Sequence, residues 1–284
     1  MSQKPLQFER GNIHWMAYFK LMRLHKFPTG SIVVFWPCAW GVIMSASITD
    51  MKPPQVAIQL VLYLTGSTIR HSAACIWNDI CDREFDREVV SMTGAVTLLI
   101  SQLALGIGLL VYAGPVATRV GLFGLVFLDF PYPLMKRWTW WPQAYLGLAM
   151  TWGLPVSWVS IVGHMDWTVV PVLFLGGVSW TIHYDTIYAC QDRRDDVKAG
   201  VKSTAVLFED HVRPILSCFA AFFVASLALA GVQNAQGPLY FVMTVVGTAG
   251  HLAWQLATID FDVSADCWRM FKVYGYAGMS SKRK

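Results

Sequence analysis

Charge is scarce in this 284-residue chain. Asp, Glu, Lys and Arg together make up 14% of it, against about 25% in an ordinary soluble domain. That shortage excludes a water-soluble globular protein. Paired cysteines are also lacking. Cys38, Cys75, Cys81, Cys190, Cys218 and Cys267 are scattered, mostly in or beside apolar runs, with no CxxC and no Cys/His ligand spacing. Neither a disulfide framework nor a zinc site is indicated, and buried thiols are expected. The first 26 residues have no short apolar core followed by a small-residue cleavage site, so a secretory signal peptide is not expected.

Apolar sequence is abundant instead. Runs of about 20 residues, the length that crosses a bilayer as helix, recur along the whole chain. They predict spans near 29–48, 56–77, 94–113, 116–132, 143–164, 168–188, 214–232 and 237–257. The expected fold is therefore an all-α, polytopic transmembrane bundle formed by a single integral-membrane domain over residues 1–284. Numbering the spans sorts the basic residues. Nineteen of the 22 Lys and Arg fall on the side that holds both termini, Lys52 and Arg119 fall on the other, and Arg70 lies inside span 2. By the positive-inside rule both termini face the cytoplasm or its equivalent. Arg70, so deep, needs a partner or a water-filled cavity, and Asp129 is the one carboxylate that also looks deep.

The acidic residues then stand out. "CIWNDICDREFDREVV" (75–90) gathers seven charges between Asp79 and Glu88. Asp79, Asp82 and Asp86 follow i, i+3, i+7, one face of a continued helix, with Asn78 beside them. "HYDTIYACQDRRDDVKAGVKS" (183–203) repeats the device after span 6. There Asp185, Asp192 and Asp196 follow i, i+7, i+11 with Tyr188 on the same face, if one helix runs through them. The topology places both sets at one membrane surface. Facing aspartates repel unless a cation separates them, and short carboxylates with an Asn carbonyl suit Mg²⁺, which shares its shell with substrate phosphates. Arg23, Lys136, Arg137, Lys198 and Lys202 lie on the same side and are suited to clamping phosphate oxygens, although membrane anchoring alone also predicts basic loops there. A substrate with a phosphate head and a lipid-soluble tail fits, and a prenyl diphosphate is such a molecule.

These segments resemble the UbiA superfamily of intramembrane aromatic prenyltransferases. "NDICDREFD" is similar to its motif NDxxDxxxD at Asn78, Asp79, Asp82 and Asp86. "DTIYACQDRRDD" is similar to DxxYAxQDxxxD at Asp185, Tyr188, Gln191, Asp192 and Asp196. "RLHKFPTGSIVVFWPCAWG" (23–41), "YPLMKRWTWWPQ" (132–143) and "VKSTAVLF" (201–208) resemble family segments in the proper order. The resemblance implies nine helices around a cavity open at the cytoplasmic side. It implies Mg²⁺ held by the six aspartates, catalysis at Asp79, Asp82, Asp192 and Asp196, and diphosphate contacts from Asn78, Arg23, Lys136, Tyr188, Gln191, Lys198 and Lys202. The implied reaction transfers a prenyl group, farnesyl or geranylgeranyl, from its diphosphate to an aromatic or pyrone acceptor in meroterpenoid metabolism. Its partners are those small molecules and the bilayer, with no nucleic acid and no obligatory protein partner. The wording is shared with 4-hydroxybenzoate polyprenyltransferases of ubiquinone synthesis, which stay open as an alternative. The N-terminus lacks the Arg- and Ser-rich, acid-poor character of a mitochondrial presequence, so the endoplasmic reticulum or another endomembrane is expected ahead of the mitochondrial inner membrane.

The chain departs from the family pattern twice. A basic stretch of the type RTxxRPLxSG normally follows the first motif, whereas here "DREV" (86–89) passes straight to "VSMTGAV" (90–96). The region after residue 257 turns apolar again and stops in a basic tail, so a ninth span is missing or very short. A catalytically inactive or truncated member of the family stays open on that account.

Overall fold

In the computed structural model, residues 15–82 and 90–273 are described. Among them every regular element is helical. The short α1 (Trp15–Leu21) precedes α2 (Thr29–Ile48) and α3 (Pro53–Asp82). Then come α4 (Met92–Tyr112), α5 (Pro115–Gly124, continued by a π-turn over Leu125–Asp129) and the short α6 (Tyr132–Trp138). α7 (Pro142–Thr151) and α8 (Gly153–Val162) form one rod broken at Trp152, and α9 (Val169–Ala189) follows. Short α10 (Arg193–Ala199) and α11 (Thr204–Phe208) lead to α12 (Val212–Gln233). The turn α13 (Pro238–Tyr240), a second π-turn (Phe241–Val246) and α14 (Gly247–Thr258) make the next rod, and α15 (Ser264–Val273) ends the described chain.

These rods fall where the apolar runs place spans. Four of them, Thr29–Ile48, Met92–Tyr112, Pro142–Val162 and Thr204–Gln233, are long and apolar enough to cross a membrane by length and composition. The chain is an integral membrane protein. α4 shows the environment most plainly: in a 21-residue helix only Ala95 is buried, as expected of a helix that is apolar all round and faces lipid. The described part of α15 is ten residues long, about 15 Å.

Helices approach one another through small residues, as packing in lipid requires. α2 crosses α8 at Gly41, where a methyl group would run into Ser157 Oγ and the Leu154 carbonyl. α9 meets α12 at Gly176, where a methyl would lie 2.6 Å from Ser226 Cβ. Around these contacts Leu154, Trp158, Leu173, Ile187 and Leu216 form the buried core.

Polar side chains tie the periphery to this core. His183 of α9 is fully buried between the Leu216 carbonyl and Gln255 of α14, and Gln255 donates to the Met270 carbonyl of α15. That chain of bonds anchors α15 on α9.

Candidate active site

α3 positions the first acidic set. Its 30 residues rise about 45 Å, more than the ~30 Å of hydrocarbon in a bilayer. Its last turn therefore projects Asn78, Asp79 and Asp82 beyond the apolar layer. Asp79 is 4% exposed and accepts a 2.8 Å bond from Arg23 Nη2. Arg23 reaches it because the chain leaves α1 through a left-handed residue at Arg23 itself, φ 58°. A non-glycine in that region is strained and is held there by its surroundings. α1 is pinned meanwhile by Leu21, which packs with Ile76, Val90 and Ala95. Asp82 faces Arg137 of α6 at 3.7 Å. Asp86 lies outside the described residues, as does the Lys136 side chain.

The second acidic set is built differently from the sequence expectation. One helix does not run from Asp185 to Asp196: α9 ends at Ala189 and α10 begins at Arg193. Asp192 is the N-cap of α10, and its carbonyl accepts from the Asp195 and Asp196 amides at 2.9 and 2.8 Å. Acidic residues at a helix N-terminus are favoured by its exposed N–H groups and dipole. The same "DRRDD" that suggests a ladder is thus a helix start. Gly200, left-handed at φ 68°, ends α10 after two turns.

Tyr132 at the start of α6 lies within electrostatic reach of one aspartate from each set, Asp82 and Asp185, and of Tyr188. Tyr188 is half-exposed and packs on Phe271 of α15, ring centroids 4.8 Å apart. Asn78, Asp79, Asp82, Arg23, Asp185 and Tyr188 therefore belong to one end of the bundle. Others are turned to neighbours: Gln191 donates to the Tyr188 carbonyl at 2.9 Å, Lys198 pairs with Asp195 at 3.3 Å, and Lys202 lies 5.8 Å over the Trp140 ring. Among the described residues no three His, Cys, Asp or Glu side chains converge on a metal-holding cluster. The donor set nonetheless fits a hard cation, because guanidinium groups stand against Asp79 and Asp82 of the first motif. The site is already arranged to hold positive charge at Asp79 and Asp82.

A cavity of about 750 Å³ opens beside this end, between α2, α3, α4, α5 and α8. Trp77, two residues before Asp79, forms its near wall. Its ring stacks on Phe130 at 4.8 Å and its Nε1–H donates to the Phe130 carbonyl at 2.9 Å. The cavity runs down α3 to Tyr63 and Gln59. Its wall is mostly apolar but carries Arg70 paired with Asp129, and Tyr63 donating to Ser160 Oγ at 2.7 Å.

Sequence reasoning flagged Arg70 and Asp129 separately but did not pair them. The π-turn that ends at Asp129 brings the carboxylate to both Nε (2.9 Å) and Nη2 (2.6 Å) of Arg70. Tyr132 was missed as a residue, although it opens the quoted segment "YPLMKRWTWWPQ". Gly66, Gln102 and the rest of the cavity wall have no sequence signal apart from helical periodicity.

The UbiA prenyltransferase family model matches residues 34–276. The chain is 40% identical over 282 residues to UbiA prenyltransferase claS of Ampulloclitocybe clavipes, covering 95% of this chain and 89% of that protein. It is 38% identical over 272 residues to the mitochondrial 4-hydroxybenzoate polyprenyltransferase of Schizosaccharomyces pombe, covering 91% of this chain and 75% of the other. In three dimensions it resembles the apo structure of a UbiA homolog from Aeropyrum pernix K1, with TM-score 0.65, 18% identity, and coverage of 87% and 97% of the two chains. It also resembles a UbiA homolog from Archaeoglobus fulgidus bound to GPP and Mg²⁺, with TM-score 0.63, 17% identity, and coverage of 92% and 98%.

Proposed function

The chain belongs to the UbiA prenyltransferase family, and from that premise we propose that it transfers a farnesyl or geranylgeranyl group from the diphosphate to a carbon of an aromatic or pyrone acceptor. The observation that carries this reading is the cavity beside the acidic end. Its mostly apolar wall follows α3 from Trp77 to Gln59, 18 residues or about 27 Å of rise. That is long enough to line an extended 15- or 20-carbon chain, whereas a 45-carbon chain outruns it and has to pass into lipid. The length supports the short donors of meroterpenoid chemistry over the polyprenyl donors of ubiquinone synthesis. The second reading, a 4-hydroxybenzoate polyprenyltransferase, is favoured by the likeness to the S. pombe protein.

Asp79, Asp82 and Asn78, with Asp86 and the second set Asp185, Asp192 and Asp196, are the residues suited to hold Mg²⁺. That ion, when bound, neutralises the diphosphate as a leaving group. Arg23 and Arg137, which stand on Asp79 and Asp82, are placed to donate to phosphate oxygens, as is Lys136 of α6 by its position in the family segment. Charge built up on the leaving oxygen is thus met by donors fixed before reaction, where they count most. The C1–O bond breaks, pyrophosphate carries away the electron pair, and the acceptor carbon bonds to C1. Loss of the ring proton restores conjugation. Trp77 and Phe130 close the apolar wall at this level. They keep water from the allylic cation, and their ring faces stabilise it.

Membranes holding the chain, incubated with labelled 15-, 20- and 45-carbon diphosphates, phenolic and pyrone acceptors, and Mg²⁺ or EDTA, test this. Metal-dependent transfer with the two short donors is expected. Transfer confined to the 45-carbon donor and 4-hydroxybenzoate would establish the second reading instead.

A further inference from the structure

The Arg70–Asp129 pair stands in the wall of a mostly apolar cavity, where a charge is costly and marks a function. Arg70 gives Nε and Nη2 to Asp129, and Nη2 also donates 2.6 Å to the Ala149 carbonyl, which accepts from the Trp152 amide as well, at 3.2 Å. The donors on Nη1 have no hydrogen-bond partner among the described residues, and 28% of the side chain stays accessible. Gln102 of α4 also lines the cavity, without a side-chain hydrogen bond among the described residues. α4 runs antiparallel to α3, with Gly106 beside Ile69 and Gly66 beside Leu109. That register sets Gln102 level with Ala73, one turn from Arg70 towards the acidic end. An amide near the middle of a lipid-facing helix is expensive unless something bonds to it.

We propose that Arg70 and Gln102 anchor the acceptor, and that this anchor takes a neutral oxygen, the carbonyl of a pyrone or the hydroxyl of a phenol, in preference to a carboxylate. The argument is one of charge. Asp129 already neutralises Arg70, so the pair offers hydrogen-bond donors without net charge. A neutral oxygen gains those bonds and loses little hydration. A carboxylate at the same place leaves one uncompensated negative charge in an apolar cavity, and desolvating it exceeds what two donors return. The distance also fits. Arg70 and Asp79 are nine residues apart on α3, about 14 Å of rise, enough for a diphosphate and a single ring between them. The inference rests on the proposed prenyl transfer and names its acceptor class; it disfavours benzoate-type acceptors on grounds independent of cavity length.

The test uses the full chain purified in detergent, with acceptor pairs alike in ring and shape but differing in a neutral or carboxylate oxygen. Binding is followed by equilibrium dialysis of labelled acceptor, and turnover separately. The wild type is expected to bind the neutral member about tenfold tighter or more. Asp129→Asn leaves Arg70 charged, so the ratio should move towards the carboxylate by a similar factor. Arg70→Met with Asp129→Leu replaces the pair by apolar groups of like size, a change that buried pairs tolerate; it should keep the thermal transition and weaken binding of the neutral member about tenfold. Equal wild-type binding of both members overturns the proposal. So does a ratio unchanged in Asp129→Asn, or binding of the neutral member that the double variant retains in full. Selective binding with no transfer to any acceptor would overturn the prenyl-transfer reading and leave the anchor standing. Transfer without selectivity would do the reverse.

Discussion

Gly66 is the place to shorten the cavity. It lies 13 residues before Asp79 on α3, about 20 Å of rise from the reacting end, and lines the deep half of the space. A Cβ there meets only Leu109 Cδ1, at 3.8 Å, an ordinary contact. Gly66→Leu is therefore accommodated, and the helix itself gains, because leucine is favoured over glycine by up to about 1 kcal/mol. The added four carbons intrude on the deep half of that space. Only the last five-carbon unit of a 20-carbon donor reaches this depth. Displacing it forfeits about 0.8 kcal/mol per carbon, up to about 4 kcal/mol, and relaxation of the wall brings this to about 2. The 20-carbon donor should then lose about thirtyfold in kcat/KM against the 15-carbon donor. Competition between the two labelled diphosphates in one reaction reads that ratio directly. Equal loss on both donors, with the thermal transition intact, would refute the placement of the prenyl tail in this cavity.

Two further outcomes test the frame around the site. Lys52 precedes α3 at the end opposite Asp79, so Lys52→Ala should leave transfer within about twofold, within the usual range for a surface change; a large loss at normal expression would contradict the location of the reacting end. Asp166 Oδ1 accepts from the Thr168 hydroxyl and from the Thr168 and Val169 amides at 2.6, 2.8 and 3.1 Å, capping the start of α9. Asp166→Ala should cost about 1 kcal/mol. The Thr168 hydroxyl bond holds the Asp166 carboxyl below its ordinary value of 3.8, outweighing a partial desolvation that raises it. A depressed carboxyl stabilises above the unfolded value and loses that effect as pH falls through the folded one. The gap between wild type and variant in thermal unfolding should thus be constant near neutrality and shrink below about pH 4. A gap that widens on acidification would contradict the cap.

The lipid-facing rods were legible in the sequence because a helix in hydrocarbon has to be apolar over its length. The expected 29–48 and the observed Thr29–Ile48 coincide, and α4 differs by two residues at its start and one at its end. α3 was underestimated, 56–77 against Pro53–Asp82, since a hydropathy reading stops where the charged last turn begins although the backbone bonds continue. The second motif misled for a different reason. "DRRDD" satisfies helical spacing and helix capping equally well, and only the turn at Cys190–Asp192 separates the two. Arg70 was recognised as needing a partner, yet which carboxylate answers it depends on the extra residue in the π-turn before Asp129, which no periodicity announces. The cavity was beyond sequence because its walls come from five helices whose contact register is set by packing.

The central claim is that the aspartate end of α3 and the segment around Asp192 together grip a prenyl diphosphate through a divalent cation. Its most direct measurement is equilibrium binding of labelled farnesyl diphosphate to the purified chain across a Mg²⁺ titration, for the wild type, Asp79→Asn and Asp192→Asn. Binding that rises with Mg²⁺, vanishes in EDTA, and is weakened about tenfold or more by either substitution is the predicted result. Binding that ignores Mg²⁺, or that both variants retain in full, would contradict it.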